Sequence, residues 1–187
     1  MKHPGKYQNI HQDLIDECLK GSRRAQFRLY RLYYKAMYNT SYRIIKNVSE
    51  AEDIMQEAFL KAFENLSEYR GNVSFGAWLK RIVINKSIDA VRKRKMVFED
   101  IEGTDKVFVE DNPDEPAEIE KLPPEIIFRE IELLPDGYRI VLSLFLIEGY
   151  SHEEIASTLN ISSSTSRSQF VRGKNKLLNN LIKKYLT

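Results

Sequence analysis

The sequence has very few residues that bind metals or form disulfides: one cysteine, Cys18, and three histidines, His3, His11 and His152. A single cysteine excludes an internal disulfide, and widely spaced histidines give no metal-ligand motif. Cys18 is therefore expected to be a small buried hydrophobe. No apolar run approaches the ~18 residues of a membrane-spanning helix, and the N-terminus lacks the apolar block of a signal peptide. These absences predict a cytoplasmic protein with no metal, no cofactor and no direct membrane insertion.

Charge is strongly segregated along the chain, although the formal net charge is only +2. Residues 1–96 carry 19 basic and 10 acidic side chains, residues 97–126 carry 2 and 11, and residues 127–187 carry 8 and 6. The acidic stretch holds four of the six prolines and no sustained periodicity, which is typical of a flexible linker. We therefore predict two small domains, residues 10–96 and 124–187, joined by an acidic flexible linker at residues 97–123. The linker is either a solvated tether or an acidic segment that discourages wrong nucleic-acid contacts or occupies a cationic channel on a partner.

Both flanking blocks have apolar residues at intervals of three and four, which predicts an all-α fold of two helical domains. A short first helix should end at Gly21, and Ser22 should cap a second helix that runs to about Asn47. The second helix is rich in aromatic residues, most of which are expected in the core: Phe27, Tyr30, Tyr33, Tyr34, Tyr38 and Tyr42.

The third predicted helix has one apolar side and one polar side that includes an unexpected leucine. Ser49 and Glu52 fit a capping box at its start, and the apolar stripe consists of Ala51, Ile54, Met55, Ala58, Phe59, Ala62 and Leu66. On the opposite side, Leu60 stands among the polar residues Asp53, Gln56 and Glu57. One exposed leucine is unremarkable, but polar neighbours around it are also typical of a partner-binding surface.

A fourth helix, residues 74–95, carries groups suited to unpaired nucleic acid. At 100° per residue, Trp78, Arg81, Asn85 and Arg92 fall within an arc of about 60°. Trp78 can stack on bases, Asn85 can read base edges, and Arg92, Lys93 and Arg94 can neutralise phosphates. The preceding loop adds Tyr69, Arg70 and Asn72 around Gly71. Each residue also has an ordinary explanation: a core tryptophan, cations that favour a helix C-terminus, or a simple turn.

The C-terminal block has the pattern of a helix-turn-helix. Ser151 and Glu154 form a second capping box, a tight turn follows at Asn160 and Ile161, and a longer helix begins near Ser162. The second helix of such a motif can enter a DNA major groove. Its candidate base or phosphate contacts are Ser164, Thr165, Arg167, Ser168, Gln169, Arg172 and Lys174.

Four segments occur in a fixed order along the chain: AEDIMQEAFLKAF, SFGAWLKRIVINKSIDAVRKRK, an acidic linker and LLPDGYRIVLSLFLIEGYSHEEIASTLNISSSTSRS. With this ordered set, the chain resembles the extracytoplasmic-function (ECF) branch of the sigma-70 family. These proteins are promoter-recognition subunits of bacterial RNA polymerase. The resemblance implies that residues 10–96 are sigma region 2 and residues 124–187 are sigma region 4. It also implies binding to core RNA polymerase and promoter DNA, and family members often bind an anti-sigma factor.

The resemblance assigns a role to each candidate surface. The largest polymerase subunit would be bound by Asp53, Gln56, Glu57 and Leu60. The minus-ten element would be opened and held by Tyr69, Arg70, Asn72, Trp78, Arg81, Asn85, Arg92, Lys93 and Arg94. The helix-turn-helix would read the minus-35 element and contact the second-largest subunit. Two departures affect the recognition helix, where the family usually has an apolar residue in place of Ser166 and commonly a cation in place of Gln169.

Three other classes of protein are compatible with parts of the sequence. A stand-alone helix-turn-helix regulator would use only the C-terminal block and leave the Leu60 and Trp78 surfaces without a shared purpose. An enzyme would need Glu52, Asp53 and Glu57 to hold a metal, but no histidine or glycine-rich phosphate loop accompanies them. A helical adaptor would bind only proteins. The sequence as a whole predicts a sigma factor without catalytic activity.

Overall fold

A computed structural model describes residues 9–94 and 118–186, and these residues form helices and no strands. The α-helices are α1 (Gln12–Leu19), α2 (Arg23–Ile45), α3 (Val48–Glu64), α4 (Phe75–Lys93), α5 (Pro124–Glu132), α6 (Asp136–Leu142), α7 (His152–Leu159) and α8 (Ser163–Leu181). They divide into two compact units, the first ending at Val91. The all-α prediction is confirmed. Most of the acidic segment, residues 95–117, lies outside the described residues.

The N-terminal domain is built from α1 to α4 around one apolar core. Leu29 of α2, Phe59 of α3, and Phe75 and Leu79 of α4 are at most 3% exposed. The predicted boundary between the first two helices is confirmed: Gly21 adopts a positive φ of 84°, and the Ser22 side chain accepts a hydrogen bond from the Ala25 amide. Glycine is favoured there because the left-handed region strains residues with a Cβ.

The start of α3 differs from the prediction. Lys46 adopts a left-handed φ of 56° and ends α2, so Asn47 becomes the residue that enters α3. The Asn47 side chain accepts a hydrogen bond from the Glu50 amide at 3.0 Å. Ser49 therefore lies inside the first turn, and the capping box predicted for Ser49 and Glu52 is wrong. The apolar stripe itself is confirmed, since all seven of its residues are buried.

Helices α2 and α4 approach each other closely at Gly76. A Cβ atom added there would lie 2.9 Å from the Tyr33 ring carbon Cε1, closer than ordinary packing allows. The Tyr33 ring packs edge-on against Phe75, with centroids 5.4 Å apart. Further along, Ser87 of α4 donates a hydrogen bond to the Val83 carbonyl oxygen and lies 3.1 Å from the Ser41 hydroxyl of α2. These contacts fix α4 on one side of α2.

The C-terminal domain consists of α5 to α8 and a short preceding turn, Ile119–Lys121. Ile119 is buried with Ile131, Leu142, Leu177 and Leu181, so packed structure begins within the last residues of the predicted linker. A π-helical turn, Ser143–Ile147, continues α6, and Gly149 with a φ of 74° follows it.

A second π-helical turn, Ile182–Leu186, closes the chain after α8. There, Lys184 forms an ion pair with the buried carboxylate of Glu130 at 2.7 Å. Tyr185 also donates a hydrogen bond to that carboxylate. The two contacts attach the end of the chain to α5, and pairing is needed because an isolated buried carboxylate is costly.

The described residues were expected to form neither a membrane-spanning helix nor a metal site. None of the helices in residues 9–94 and 118–186 is both long and apolar enough to cross a membrane. The same residues contain no group of three or more histidine, cysteine or acidic side chains placed to hold a metal ion.

Candidate polymerase and nucleic-acid surfaces

The first candidate surface is the outer side of α3, which we call the α3 face and define as Asp53, Gln56, Glu57 and Leu60. All four side chains are exposed, and Leu60 is 64% exposed although it is a large apolar residue. Glu57 forms an ion pair with Lys86 of α4 at 2.8 Å, so this side of α3 is anchored to α4. The helix thus separates a fully buried apolar stripe from a polar face with one apolar centre.

A groove of about 500 Å³ adjoins the α3 face and extends it onto α2. Its lining residues are Arg23, Gln26, Phe27, Tyr30, Gln56, Phe59, Leu60 and Phe63. Phe27 is 60% exposed, so it is an exception to the expectation that most of these aromatic residues fill the core. The helical period explains this position, because Ala25 and Leu29 are the residues of this turn that point into the core. Phe27 was not predicted to lie at the surface. Its position two residues from Leu29, on another side of the helix, would have indicated that it does.

The loop before α4 is fastened to the N-terminal end of the domain by Asn9. The buried Asn9 Oδ1 accepts a hydrogen bond from the Phe75 amide at 2.8 Å and lies 3.0 Å from the Tyr69 hydroxyl. Tyr69 also donates to the Val73 carbonyl oxygen, which closes the loop on itself. Gly71 adopts a φ of 70° at the centre of this turn. Arg70 and Asn72 are exposed on either side of it.

Sequence analysis missed Asn9, which lies one residue outside the predicted first domain. No local pattern marks it, because its partners are 60 and 66 residues away in the sequence.

Trp78 lies between the core and the surface. Its ring packs 5.2 Å from Tyr69 and 5.8 Å from Phe75, and the residue is only partly exposed. Arg81 and Asn85, one and two turns further along α4, are fully at the surface, as are Arg92, Lys93 and Arg94 at the end of the helix. The alternatives of core and surface are therefore both partly right for Trp78. The indole packs against Tyr69 of the loop and Phe75 of the core, and part of the residue remains exposed.

The helix-turn-helix has the local structure that the sequence predicts. The Ser151 and Glu154 capping box is present, with both reciprocal hydrogen bonds made. Asn160 adopts a left-handed φ of 57° in the turn, and Ser162 caps α8 by accepting from the Thr165 amide at 3.0 Å. Both caps satisfy amides that would otherwise lack partners at a helix N-terminus.

The outer side of α8 brings together most of the predicted minus-35 residues. Ser164, Arg167 and Ser168 are exposed, and Thr165, Arg172 and Lys174 are partly exposed. Arg167 forms an ion pair with Glu153 of α7 at 2.7 Å, and both side chains remain more than half exposed. Asn175 lies two turns after Ser168 on the same side of α8 and is partly exposed.

Gln169 is the predicted contact that the structure contradicts. It is 3% exposed, because it lies three residues after Ser166 and four before Gly173 on the inner side of α8, where all three are buried. Its Oε1 atom is buried and has no hydrogen-bond partner among the described residues. A side chain in this position does not reach a DNA groove. Ser166, where the family usually has an apolar residue, is buried, and its hydroxyl lies 2.9 Å from His152 Nδ1. The His152 ring in turn stacks on Phe145.

The geometry defines a two-domain helical protein with a polar α3 face around Leu60, a basic and aromatic α4, and a helix-turn-helix formed by α7 and α8. Family models for "Sigma-70 region 2" and "Sigma-70, region 4" match residues 29–96 and 124–177. The chain is 33% identical to the ECF RNA polymerase sigma factor SigW of Bacillus subtilis, over 87% of this chain and 92% of that protein. It is 30% identical to the ECF RNA polymerase sigma-E factor of Escherichia coli K12, over 87% and 90%.

Solved structures share the fold. The sigma factor RpoE of Bartonella quintana, in complex with the anti-sigma factor NepR, matches with a TM-score of 0.52 at 23% identity, covering 84% of this chain and 96% of that chain. CnrH, in complex with the cytosolic domain of CnrY, matches with a TM-score of 0.54 at 22% identity, covering 93% and 98%.

The chain therefore belongs to the sigma-70 family, in its extracytoplasmic-function branch. It is a sigma factor that directs promoter-specific transcription, and this class of initiation factor is not enzymatic. The stand-alone regulator is not favoured, because region 2 matches as well as region 4.

Proposed function

We propose that the α3 face and the adjoining groove together bind the largest subunit of core RNA polymerase. The observation that supports this most directly is the exposure of Leu60 and Phe27 on opposite sides of one groove rimmed by polar side chains. Apolar anchors surrounded by polar residues are the common anatomy of protein interfaces. Gln56 lines the groove on α3, and Asp53 and Glu57 are exposed polar residues of the adjoining α3 face.

We further propose that the loop around Gly71 and the outer side of α4 hold the minus-ten element as single-stranded DNA. Arg70, Asn72, Arg81 and Asn85 supply exposed polar groups there, and the exposed part of Trp78 supplies a surface for a base. Tyr69 acts mainly by positioning the loop, since its hydroxyl is already engaged by Val73 and Asn9. Arg92, Lys93 and Arg94 extend the basic end of α4 for phosphate contacts.

For the C-terminal domain we propose that α8 reads the minus-35 element as duplex through its outer side. This surface consists of Ser164, Thr165, Arg167, Ser168, Arg172 and Lys174. Gln169 does not belong to it, because its side chain is buried. Glu153 holds the Arg167 guanidinium above α8, so the cation is partly ordered before DNA arrives. The same domain contacts the second-largest polymerase subunit.

The setting of this activity is the cytoplasm, where polymerase and promoter DNA are found. An anti-sigma factor is a further proposed partner, because two structural neighbours are solved in complexes and one of these is titled with an anti-sigma factor.

The test of this function is whether promoter binding depends on core polymerase. Labelled chain is titrated with purified core enzyme, and the holoenzyme is then titrated with fluorescent promoter DNA. We expect tight promoter binding only when core enzyme is present, because two readers joined by a long linker need the enzyme to hold their spacing. Equally tight binding to duplex DNA by the free chain would instead support the stand-alone regulator.

A further inference from the structure

Helix α2 carries a charge pattern of which the surfaces above include only Arg23, at the groove. Residues 18–49 contain no aspartate or glutamate. The same stretch contains eight basic residues: Lys20, Arg23, Arg24, Arg28, Arg31, Lys35, Arg43 and Lys46. A surface helix normally mixes the two signs, so this composition needs a physical reason.

Four of these cations form a single row, which we call the α2 basic stripe and define as Arg24, Arg28, Arg31 and Lys35. At 100° per residue they fall within an arc of about 60°. All four residues are exposed. Within residues 9–94 and 118–186, none of the four forms an ion pair.

The α2 basic stripe lies on the side of α2 away from α4. Tyr33, which packs on Phe75 and approaches Gly76, is about 180° around the helix from Arg24. The stripe is therefore separate from the minus-ten surface. A DNA segment held along α4 does not reach it, so any ligand of the stripe is a second one.

The stripe does not serve folding. Its side chains are exposed, and the spacings of three and four place like charges next to each other, at a cost of about 0.2–0.5 kcal/mol for each neighbouring pair. A row of cations that opposes helix formation is expected where an anionic ligand compensates for the repulsion.

The dimensions of the stripe fit a nucleic-acid backbone. The stripe covers twelve residues, and the eleven steps between its ends, at 1.5 Å each, span about 16 Å, which corresponds to about five phosphate spacings of one DNA strand at 3.4 Å each. Three of the four cations are arginines, whose planar guanidinium binds phosphate through two parallel hydrogen bonds.

We propose that the α2 basic stripe binds the phosphate backbone of duplex DNA outside the two promoter elements. This contact rests on the proposed sigma function, since the holoenzyme brings the DNA to the domain. It adds affinity without sequence information, because phosphate contacts are sequence-independent. An acidic polypeptide is the competing ligand, and the experiment below separates the two.

The test uses the full chain with Arg28→Gln and Arg31→Gln together. Its matched control is Lys121→Gln with Arg129→Gln, two exposed cations of the other domain. Promoter affinity of each holoenzyme is measured over a salt series, on DNA with long flanks and on DNA trimmed to the two elements. For two lost phosphate contacts, the slope of log K against log salt should weaken by about 1.8 on the long DNA, with no change for the control.

Three results would overturn the proposal. The first is an unchanged slope on the long DNA, and the second is an equal change on the trimmed DNA. The third is a loss of affinity for core polymerase without DNA, which would identify an acidic protein surface as the ligand. Failure of the sigma function would appear separately, as no promoter complex with the unchanged chain. In that case, the slope of log K against log salt for the free chain on a non-promoter duplex still tests whether the α2 basic stripe binds DNA phosphates.

Discussion

At the scale of single residues, Asn9 joins the start of the N-terminal domain to the start of α4. Its buried Oδ1 atom accepts a hydrogen bond from the Phe75 amide and lies 3.0 Å from the Tyr69 hydroxyl of the preceding loop. Removal of this oxygen leaves the buried Phe75 amide without this partner, whereas the Tyr69 hydroxyl keeps the Val73 carbonyl oxygen. Loss of such a buried hydrogen bond typically costs the desolvation penalty of the groups left unpaired.

We therefore expect Asn9→Ala to lower the free energy of unfolding by about 1–3 kcal/mol. Urea denaturation measures the change. Gln12→Ala is the control, because the partly exposed Gln12 side chain accepts from Asn9 Nδ2 and donates to Asp16 but makes no contact with Asn9 Oδ1. A loss for Asn9→Ala no larger than that for the control would contradict the positioning role.

Cys18 illustrates a residue whose chemistry is suppressed by its position. It is 5% exposed, and burial, with a smaller contribution from Glu17, raises the pKa of its thiol to about 11. The neutral thiol is therefore favoured in the folded state. An unfolded thiol ionises near 8.5, so stability from this group is complete below that pH and is lost as pH rises towards 11.

The expected result is slow alkylation of Cys18 in the folded chain at pH 8 and fast alkylation in denaturant, because the thiolate is the reactive form. Mass spectrometry after iodoacetamide treatment measures both rates. Equal rates in the two conditions would show that the thiol is neither buried nor protonated as described.

At the scale of elements, α3 has a buried side that packs in the core and an exposed side that we propose for polymerase binding. The stripe is buried, whereas Asp53 and Leu60 are exposed and lie outside the core. Substitution on the outer side should therefore affect binding without affecting the fold.

The double variant Asp53→Ala with Leu60→Ala should weaken core-polymerase affinity roughly tenfold or more, as loss of a central apolar anchor does at other interfaces. Its matched control is Asp13→Ala with Leu19→Ala, an exposed pair on α1. Thermal unfolding should be nearly unchanged in both variants. Core affinity that is the same for the two would remove the α3 face from the interface.

On α4, Asn85→Ala should reduce open-complex formation more than closed-complex binding, because its amide is needed only once bases are unpaired. Permanganate footprinting measures strand opening, and a mobility shift at low temperature measures closed complexes. Asn179→Ala, an exposed asparagine on α8, is the control. An equal loss in both assays would argue against base capture.

The helices and most caps were predictable because their causes are local. Apolar spacing defines α3, and Ser22, Ser151 and Ser162 each cap a helix through a partner three residues away. The Asn47 cap was not predictable in the same way, since it depends on Lys46 adopting a left-handed conformation.

The misassigned site residues have causes that are not local. Gln169 was mistaken for a surface residue because a polar side chain at a buried position contradicts the usual pattern. The groove beside Leu60 requires α2 and α3 to pack together, which no segment reveals alone.

At the scale of the whole molecule, recognition is divided between two folded units. The N-terminal unit carries the α3 face and the α4 surface, and the C-terminal unit carries α8. Residues 95–117 between them contain no basic residue other than Lys95 and Lys106, and they hold many acidic ones. In the proposed function, two separate DNA surfaces become one specific reader when polymerase fixes both units at once.

The most direct test of this account is run-off transcription with purified core RNA polymerase on a genomic promoter library, with and without the chain. Sequencing of the transcripts identifies the start sites. We predict discrete new start sites that share two spaced upstream elements, and these sites should disappear with Asp53→Ala and Leu60→Ala together. No new start sites from folded chain free of any copurified inhibitor would contradict the account.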